Sequence, residues 1–245
     1  MDRLVVRGDI LRRLTDSVET AVKLAGATVA ISNVAGTKDA NGAGIEANGG
    51  ALTISGGAVS VLCKDARCYA LYSSKKVSTK PACLKKVKGV LGDGATFAAG
   101  GNTYKVTSYM RVTLQSYGAK SKTPVVNEVK FAGYAHEVTG IAARAFTTKR
   151  GKAVTQVTLG ENVQYVGAKA FYGTSKLAKM NLTRSSGWEW KLNKKAFAKC
   201  GKKAGAGLTV KCKYDYDTKA TKKIFVAAGM KIFRSEEHTS ELQSR

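Results

Sequence analysis

The block IAARAF (141–146) returns as VGAKAF (166–171) and again as LNKKAF (192–197), at steps of 25 and 26 residues. Each copy writes an aliphatic residue, three small or polar residues, then Ala-Phe. Recurrence at such a period marks a repeat architecture, in which each unit is too small to bury its own apolar face and stacks on its neighbours. A second recurrence keeps step with the first. VTQVTL (154–159) aligns with LAKMNL (177–182), so that Val154 matches Leu177, Val157 matches Met180 and Leu159 matches Leu182, each 23 residues on. The last apolar pair of each block alternates with polar residues, as a half-buried strand requires. Together the blocks predict stacked coils with Phe146, Phe171 and Phe197 as an internal ladder. The Ala before each Phe is small because the neighbouring coil approaches closely.

These residues resemble the BspA-type leucine-rich repeats of bacterial surface proteins, which run strand, NVxxIGxxAFxGC, strand. The stretch ENVQYVGAKAFYGTSKLAKMNL (161–182) follows that run, and LNKKAFAKC (192–200) keeps the Ala-Phe and the Cys. The resemblance covers about residues 129–233. It departs at TRSSGWEWK (183–191), where two tryptophans replace the usual turn and aliphatic residue. It implies a non-catalytic surface protein, and it places Cys200 inside the solenoid as a small buried hydrophobe. LTVKC (208–212) reads as a last strand. YDTKATKKIFVAAG (216–229) reads as a helix with Asp217 as N-cap, Ala220, Ile224 and Ala227 on one face, and Gly229 as the stop. Such a helix, Lys-rich outside, would cap the open end of the array.

The N-terminal half carries a looser repeat. ATVAIS (27–32) aligns with ALTIS (51–55), placing Val29 with Leu52 and Ile31 with Ile54 at a step of 23. Gly-rich corners separate short strands, which suggests a parallel β-helix. The run GAGIEANGGALTISGGAVSV (42–61) resembles bacterial carbohydrate-binding β-helix domains over about residues 27–62. That resemblance implies calcium sites, for which Asp39, Asn41 and Glu46 offer hard oxygen ligands. No EF-hand or RTX spacing is met, and the same residues suit an ordinary polar turn. Residues 63–90 hold seven Lys and Arg67 without a clear period and read as an irregular, solvated coil. FAAGGNTYKVTS (97–108) and FAGYAHEVTG (131–140) read as hairpins.

The expected fold is therefore mainly β: an elongated solenoid, β-helix-like at first and then a leucine-rich-repeat array with a C-terminal capping helix. The expected divisions are an unassigned segment 1–22, a β-helix-like domain 23–92 with an irregular Lys-rich end, a β-hairpin connector 93–140, repeats 141–213, a capping helix and end 214–233, and a non-native tail 234–245. That tail, RSEEHTSELQSR, reads as an in-frame translation of a sequencing-library adapter, which sets it apart from the fold. On this reading both native termini, a secretion signal and an anchor lie outside the fragment.

Charge narrows the function. The chain carries +24, and setting the tail aside leaves 39 basic and 14 acidic residues, or +25. Of the basic residues 30 are Lys and 11 Arg. Lysine is a flexible point charge, whereas arginine suits bidentate reading of phosphates and bases. The balance points to diffuse attraction for anionic polymers and argues against sequence-specific nucleic-acid recognition. No apolar run approaches the ~18 residues of a spanning helix. The five cysteines form no CxxC pair, so a zinc or thioredoxin-like reading lacks support. Catalysis finds no motif either. Outside the tail His136 is the sole histidine, in a hairpin position where a surface residue is the default.

Candidate binding residues are few. Trp188 and Trp190, two apart in an extended segment, share a face and could stack a sugar, with Tyr172 beside them, or could cover the solenoid where an aliphatic residue is missing. Arg7-Gly8-Asp9 spells an integrin-binding tripeptide, a match short enough to arise by chance. The sequence therefore predicts a cell-surface or secreted adhesion protein that uses no cofactor, with a host or envelope protein or glycan as partner. A carbohydrate-binding module and a basic nucleic-acid-binding protein are the alternatives.

Overall fold

The computed structural model describes residues 3–5, 28–34, 43–47, 49–64, 68–183, 190–201, 208–212, 218–230 and 233–235. The fold is mainly β, 46% strand, and its strands wind a β-solenoid of about six turns. Two compact units divide the chain. The first holds Met1–Ala99, Tyr104–Val112 and Val129–His136; the second holds Gly100–Thr103, Thr113–Glu128 and Glu137–Arg245.

In the first unit, β1 (Arg3–Val5) pairs in parallel with β2 (Thr28–Val34). The first full coil is β2, β3 (Ala43–Ala47) and β4 (Leu52–Ile54). The second is β5 (Ala58–Cys63), β6 (Tyr69–Ser73) and β7 (Val77–Thr79), and the third opens with β8 (Leu84–Lys88) and β9 (Val90–Leu91). Like sides stack into three parallel sheets: β1-β2-β5-β8, β3-β6-β9 and β4-β7. Val59, Val61, Leu71, Val77 and Leu91 are buried between them.

This geometry corrects the N-terminal alignment. Val29 pairs with Val59 and Ile31 with Val61, whereas Leu52 pairs with Val77 and Ile54 with Thr79. Segments 27–32 and 51–55 are thus two sides of one coil, not equivalent sides of successive coils. They look alike because both sequences carry the apolar alternation that a strand with one buried face requires. Residues 63–90 are corrected too. From Cys68 on they form β6, β7, a 3-10 turn at Pro81–Cys83, β8 and β9 rather than an irregular coil. Their lysines occupy the outward positions of a regular coil, with Lys85, Lys86 and Lys88 exposed on β8.

Two hairpins follow: β10 (Thr96–Ala99) with β11 (Asn102–Ser108), and, after β12 (Arg111–Ser116) and β13 (Val125–Val126), β14 (Glu128–Phe131) with β15 (Tyr134–Ile141). Within the first unit Phe97 is fully buried, stacked on Phe131 at 4.3 Å and on Tyr104 at 5.6 Å.

The second unit carries the Ala-Phe repeats. β16 (Gln156–Leu159), β17 (Tyr165–Val166), β18 (Lys179–Leu182), β19 (Lys191–Leu192) and β20 (Leu208–Cys212) alternate between two sheets, each pairing in parallel with its equivalent in the next turn. Val157 pairs with Met180 and Leu159 with Leu182, the register the sequence predicts. The next step is 30 residues, from Met180 to Val210. In the other sheet Ile141, Val166 and Leu192 are in register.

The phenylalanine ladder is present and longer than expected. Phe146 and Phe171 stack at 4.5 Å, and Phe171 and Phe197 at 5.3 Å, all fully buried. Tyr117 adds a rung on Phe146 at 4.8 Å, and Phe225 adds one on Phe197 at 5.0 Å. Backbone bonds from Phe146 N–H to Ala170 O and from Phe171 N–H to Ala196 O lock each turn to the next.

Phe225 belongs to helix α1 (Thr218–Ala227). Its buried side is Phe225 and Ala228, with Ile224 half-buried, while Ala227 is exposed. The expected apolar face is thus rotated to bring Phe225 onto the ladder. The proposed cap, Asp217, and the side chain of Ala220 lie outside the described residues. The C-terminal stop is as expected. Gly229 has φ +95°, its N–H bonds to Val226 O, and Met230 N–H bonds back to Phe225 O, the pairing of a Schellman turn. A last strand, β21 (Phe233–Ser235), pairs in parallel with β20 and takes in Arg234 and Ser235, the first residues of the expected tail. Residues 236–245 lie outside the described ones.

Candidate functional site

The Ala-Phe turn places a cation at a strained position in every repeat. Arg144, Lys169 and Lys195, the residues before Ala-Phe, have φ of 59°, 57° and 63°. Left-handed backbone costs about 1–2 kcal/mol for a residue with a Cβ. The turns hold it with bonds from Thr147 N–H to Arg144 O, Tyr172 N–H to Lys169 O and Ala198 N–H to Lys195 O. Lys199, also left-handed at 61°, follows in the last repeat.

Tyr172 leaves the chain directly after Phe171, so the ladder fixes its backbone. The ring is half-buried. The ammonium groups of Lys199 and Lys169 lie 5.3 and 5.8 Å from its centroid, within cation–π range. By hydrogen bonding and by its charge, Lys199 holds the phenol below the ordinary tyrosine value, and Lys169 and Lys152 add to the field. The same bond pushes Lys199 up.

A second feature lies on the outer side of β16, β18 and β20. The register aligns Gln156, Lys179 and Thr209 in one row and Thr158, Asn181 and Lys211 in another. A shallow groove of about 370 Å³ is lined by residues that include Gln156, Thr158, Lys179, Asn181, Thr183 and Lys211. Asn181 donates from Nδ2 to Thr158 Oγ1 at 3.2 Å, while its Oδ1 is buried without a partner. That leaves an unused acceptor buried beneath the groove.

Other expected residues fall differently. Trp190 is half-buried and meets Phe225 edge-on at 5.4 Å and 74°, an arrangement suited to covering the helix contact. It makes no ring contact with Tyr172. Trp188, Asp39 and Asn41 lie outside the described residues. Glu46 is exposed on β3, in register with Tyr72. Among the described residues no group of three or more His, Cys, Asp or Glu converges. Cys63, Cys68 and Cys83 are buried, and Cys200 is half-buried with its thiol pushed up to about 12 by burial. Such a thiol stays protonated at neutral pH and is a poor nucleophile.

Sequence reasoning missed a tyrosine cluster in the first unit. Tyr69 meets Tyr72 at 5.1 Å and Tyr109 at 6.4 Å, and Tyr109 is 52% exposed at the β11–β12 turn. Burial, then the neighbouring Tyr109 and the charge of Asp93, raise the Tyr69 pKa. No local pattern marks the cluster, since Tyr69 and Tyr72 stand on β6 while Tyr109 comes from the distant β11–β12 turn.

His136 is a correction. It is 1% exposed rather than on the surface, lies 5.5 Å from Phe97, and its Nδ1 has no partner. Burial lowers its pKa from 6.5. The unfolded chain therefore binds the proton more readily than the folded one, and stability falls as pH drops below about 6.5. Urea midpoints at neutral pH and near pH 5 should differ in this direction. His136→Phe should remove most of the difference; an equal slope in the variant would assign it to other groups.

No family model, curated protein or solved structure matches the chain. Among the described residues no helix is long and apolar enough to cross a membrane.

Proposed function

We propose that this chain is a non-catalytic interaction protein, secreted or on a cell surface, that holds an anionic polymer of a host or an envelope. In this reading the Ala-Phe coils are a BspA-type leucine-rich-repeat array and α1 is its cap. One observation carries it. The solenoid repeats a cation at one place in the turn, with Arg144, Lys169 and Lys195 at equivalent left-handed positions of successive turns. A linear polyanion can meet such a row at several points at once, which multiplies weak contacts.

A second reading, a module for uncharged glycans, draws on the Tyr69–Tyr72–Tyr109 cluster, where the carboxylate of Asp93 acts on Tyr69. Aromatic faces and a hydroxyl acceptor suit sugars. Retention on immobilised heparin or polygalacturonate, against immobilised cellulose or amylose, tests both. Retention on the charged matrices alone supports the polyanion reading. Retention on a neutral one, abolished by Tyr109→Ala, favours the second.

A further inference from the structure

We propose that Lys169 and Lys199, over the Tyr172 ring, and Lys152, beside Gly173, form a recognition site for a sulfate or phosphate ester carried on a sugar. This rests on the anionic-polymer reading and names the chemistry that one part of the surface would select.

Three different turns supply the cations. Lys152 stands on the 3-10 turn Gly151–Ala153, Lys169 precedes Phe171, and Lys199 follows Phe197. Ammonium groups repel one another, and none of the three is paired with a carboxylate among the described residues. The folded chain therefore holds an electropositive spot that an added anion would relieve. Lys152 and Lys199 are exposed and Lys169 is half-buried, so the spot is open to a ligand. The positive field at the Tyr172 hydroxyl reports the same convergence.

The backbone is organised in advance. Lys169, Lys199 and Gly173 all take left-handed φ, of 57°, 61° and 74°. Bonds from Tyr172 N–H to Lys169 O and from Gly201 N–H to Thr174 O tie the two turns. A site fixed before binding loses less freedom when the ligand arrives.

The chemistry of the donors selects the ligand. A planar carboxylate is matched best by the arginine fork, whereas lysines act as point charges that can surround a tetrahedral oxyanion. The ring beside them offers an apolar face to the sugar that carries the ester. Single-stranded nucleic acid is the less fitting polyanion, because its grooves line up successive aromatic rings and here one ring stands among the cations.

The test is calorimetric titration of the full chain with four probes: a heparin-derived hexasaccharide, its desulfated form, mannose 6-phosphate and a short single-stranded DNA. The variants are Lys169→Gln/Lys199→Gln and, as an equal-charge control, Lys222→Gln/Lys223→Gln on the exposed side of α1. Thermal unfolding checks that both remain folded. The proposal expects the sulfated hexasaccharide to bind, the desulfated one not to, and the first variant to lose about tenfold or more in affinity while the control changes little. Mannose 6-phosphate competing with the hexasaccharide would extend the site to phosphate esters; failure to compete would confine it to sulfate. Equal losses in both variants would overturn the site and leave diffuse polyanion binding standing. Stronger binding of DNA with the same dependence on Lys169 and Lys199 would overturn the sugar assignment. No binding of any polyanion by the unaltered chain would overturn the site and the proposed function together.

Discussion

Phe171→Ala should destabilise the second unit by about 3–5 kcal/mol, the cost of emptying a fully packed aromatic position. Phe171 is the central rung, with rings at 4.5 and 5.3 Å on either side and no exposed surface. Its loss removes two ring contacts of about 0.5–1.5 kcal/mol each in addition to the buried area. Repeats are stabilised by their neighbours, so the damage should pass to Phe146 and Phe197 rather than stay local. Urea unfolding followed by tryptophan emission should shift to lower denaturant. Tyr165→Ala, at a ring 41% exposed in the same repeat, should move the midpoint far less. Equal shifts would mean that the ladder is not the core.

Gly89→Ala should strongly destabilise the first unit. Gly89 has φ +135°, where an L side chain is strained, and a Cβ there would stand 2.6 Å from Cys63 Sγ, 2.9 Å from Ala70 N and 3.0 Å from Cys68 O. Strain of about 1–3 kcal/mol and crowding of similar size act together. Two of the three obstacles are backbone of the preceding coil, so rotamer changes cannot relieve them. Gly49→Ala isolates the first effect, because Gly49 also has positive φ but nothing within 4 Å of its added Cβ. Its cost should be near 1 kcal/mol. If the two variants unfold alike, the coils are not packed as closely as described.

The second unit was legible because strand and Ala-Phe blocks recur together. Matching Val157 to Met180 gave the true register. The ends of the ladder were hidden for separate reasons. Tyr117 follows Ser rather than Ala, and Phe225 comes from a helix, whose period obscures a place in a stack of coils. In the first unit each coil has three sides with one apolar alternation, so ATVAIS and ALTIS could be matched although they lie on different sides. The lysines of 63–90 masked strands, since a half-buried strand such as β8, with Lys85, Lys86 and Lys88 outward, looks like a solvated loop. Its apolar positions, Val77, Leu84, Val87 and Val90, were the available signal.

The site was legible only in part. Tyr172 could be picked out as an aromatic residue beside the Ala-Phe core. Its cations could not, because Lys152 lies 20 residues before it and Lys199 lies 27 after. Only the stacking of turns brings them together. The tryptophan pair drew notice by rarity, yet Trp190 spends its edge on Phe225.

The salt dependence of heparin affinity tests the central claim most directly. An ordered row of cations releases several counterions when it binds, so log K should fall linearly with log salt, losing about a hundredfold or more between roughly 50 and 200 mM. The slope should become shallower in Lys169→Gln/Lys199→Gln. Binding that persists unchanged in high salt, or that fails to appear even in low salt, would contradict the account.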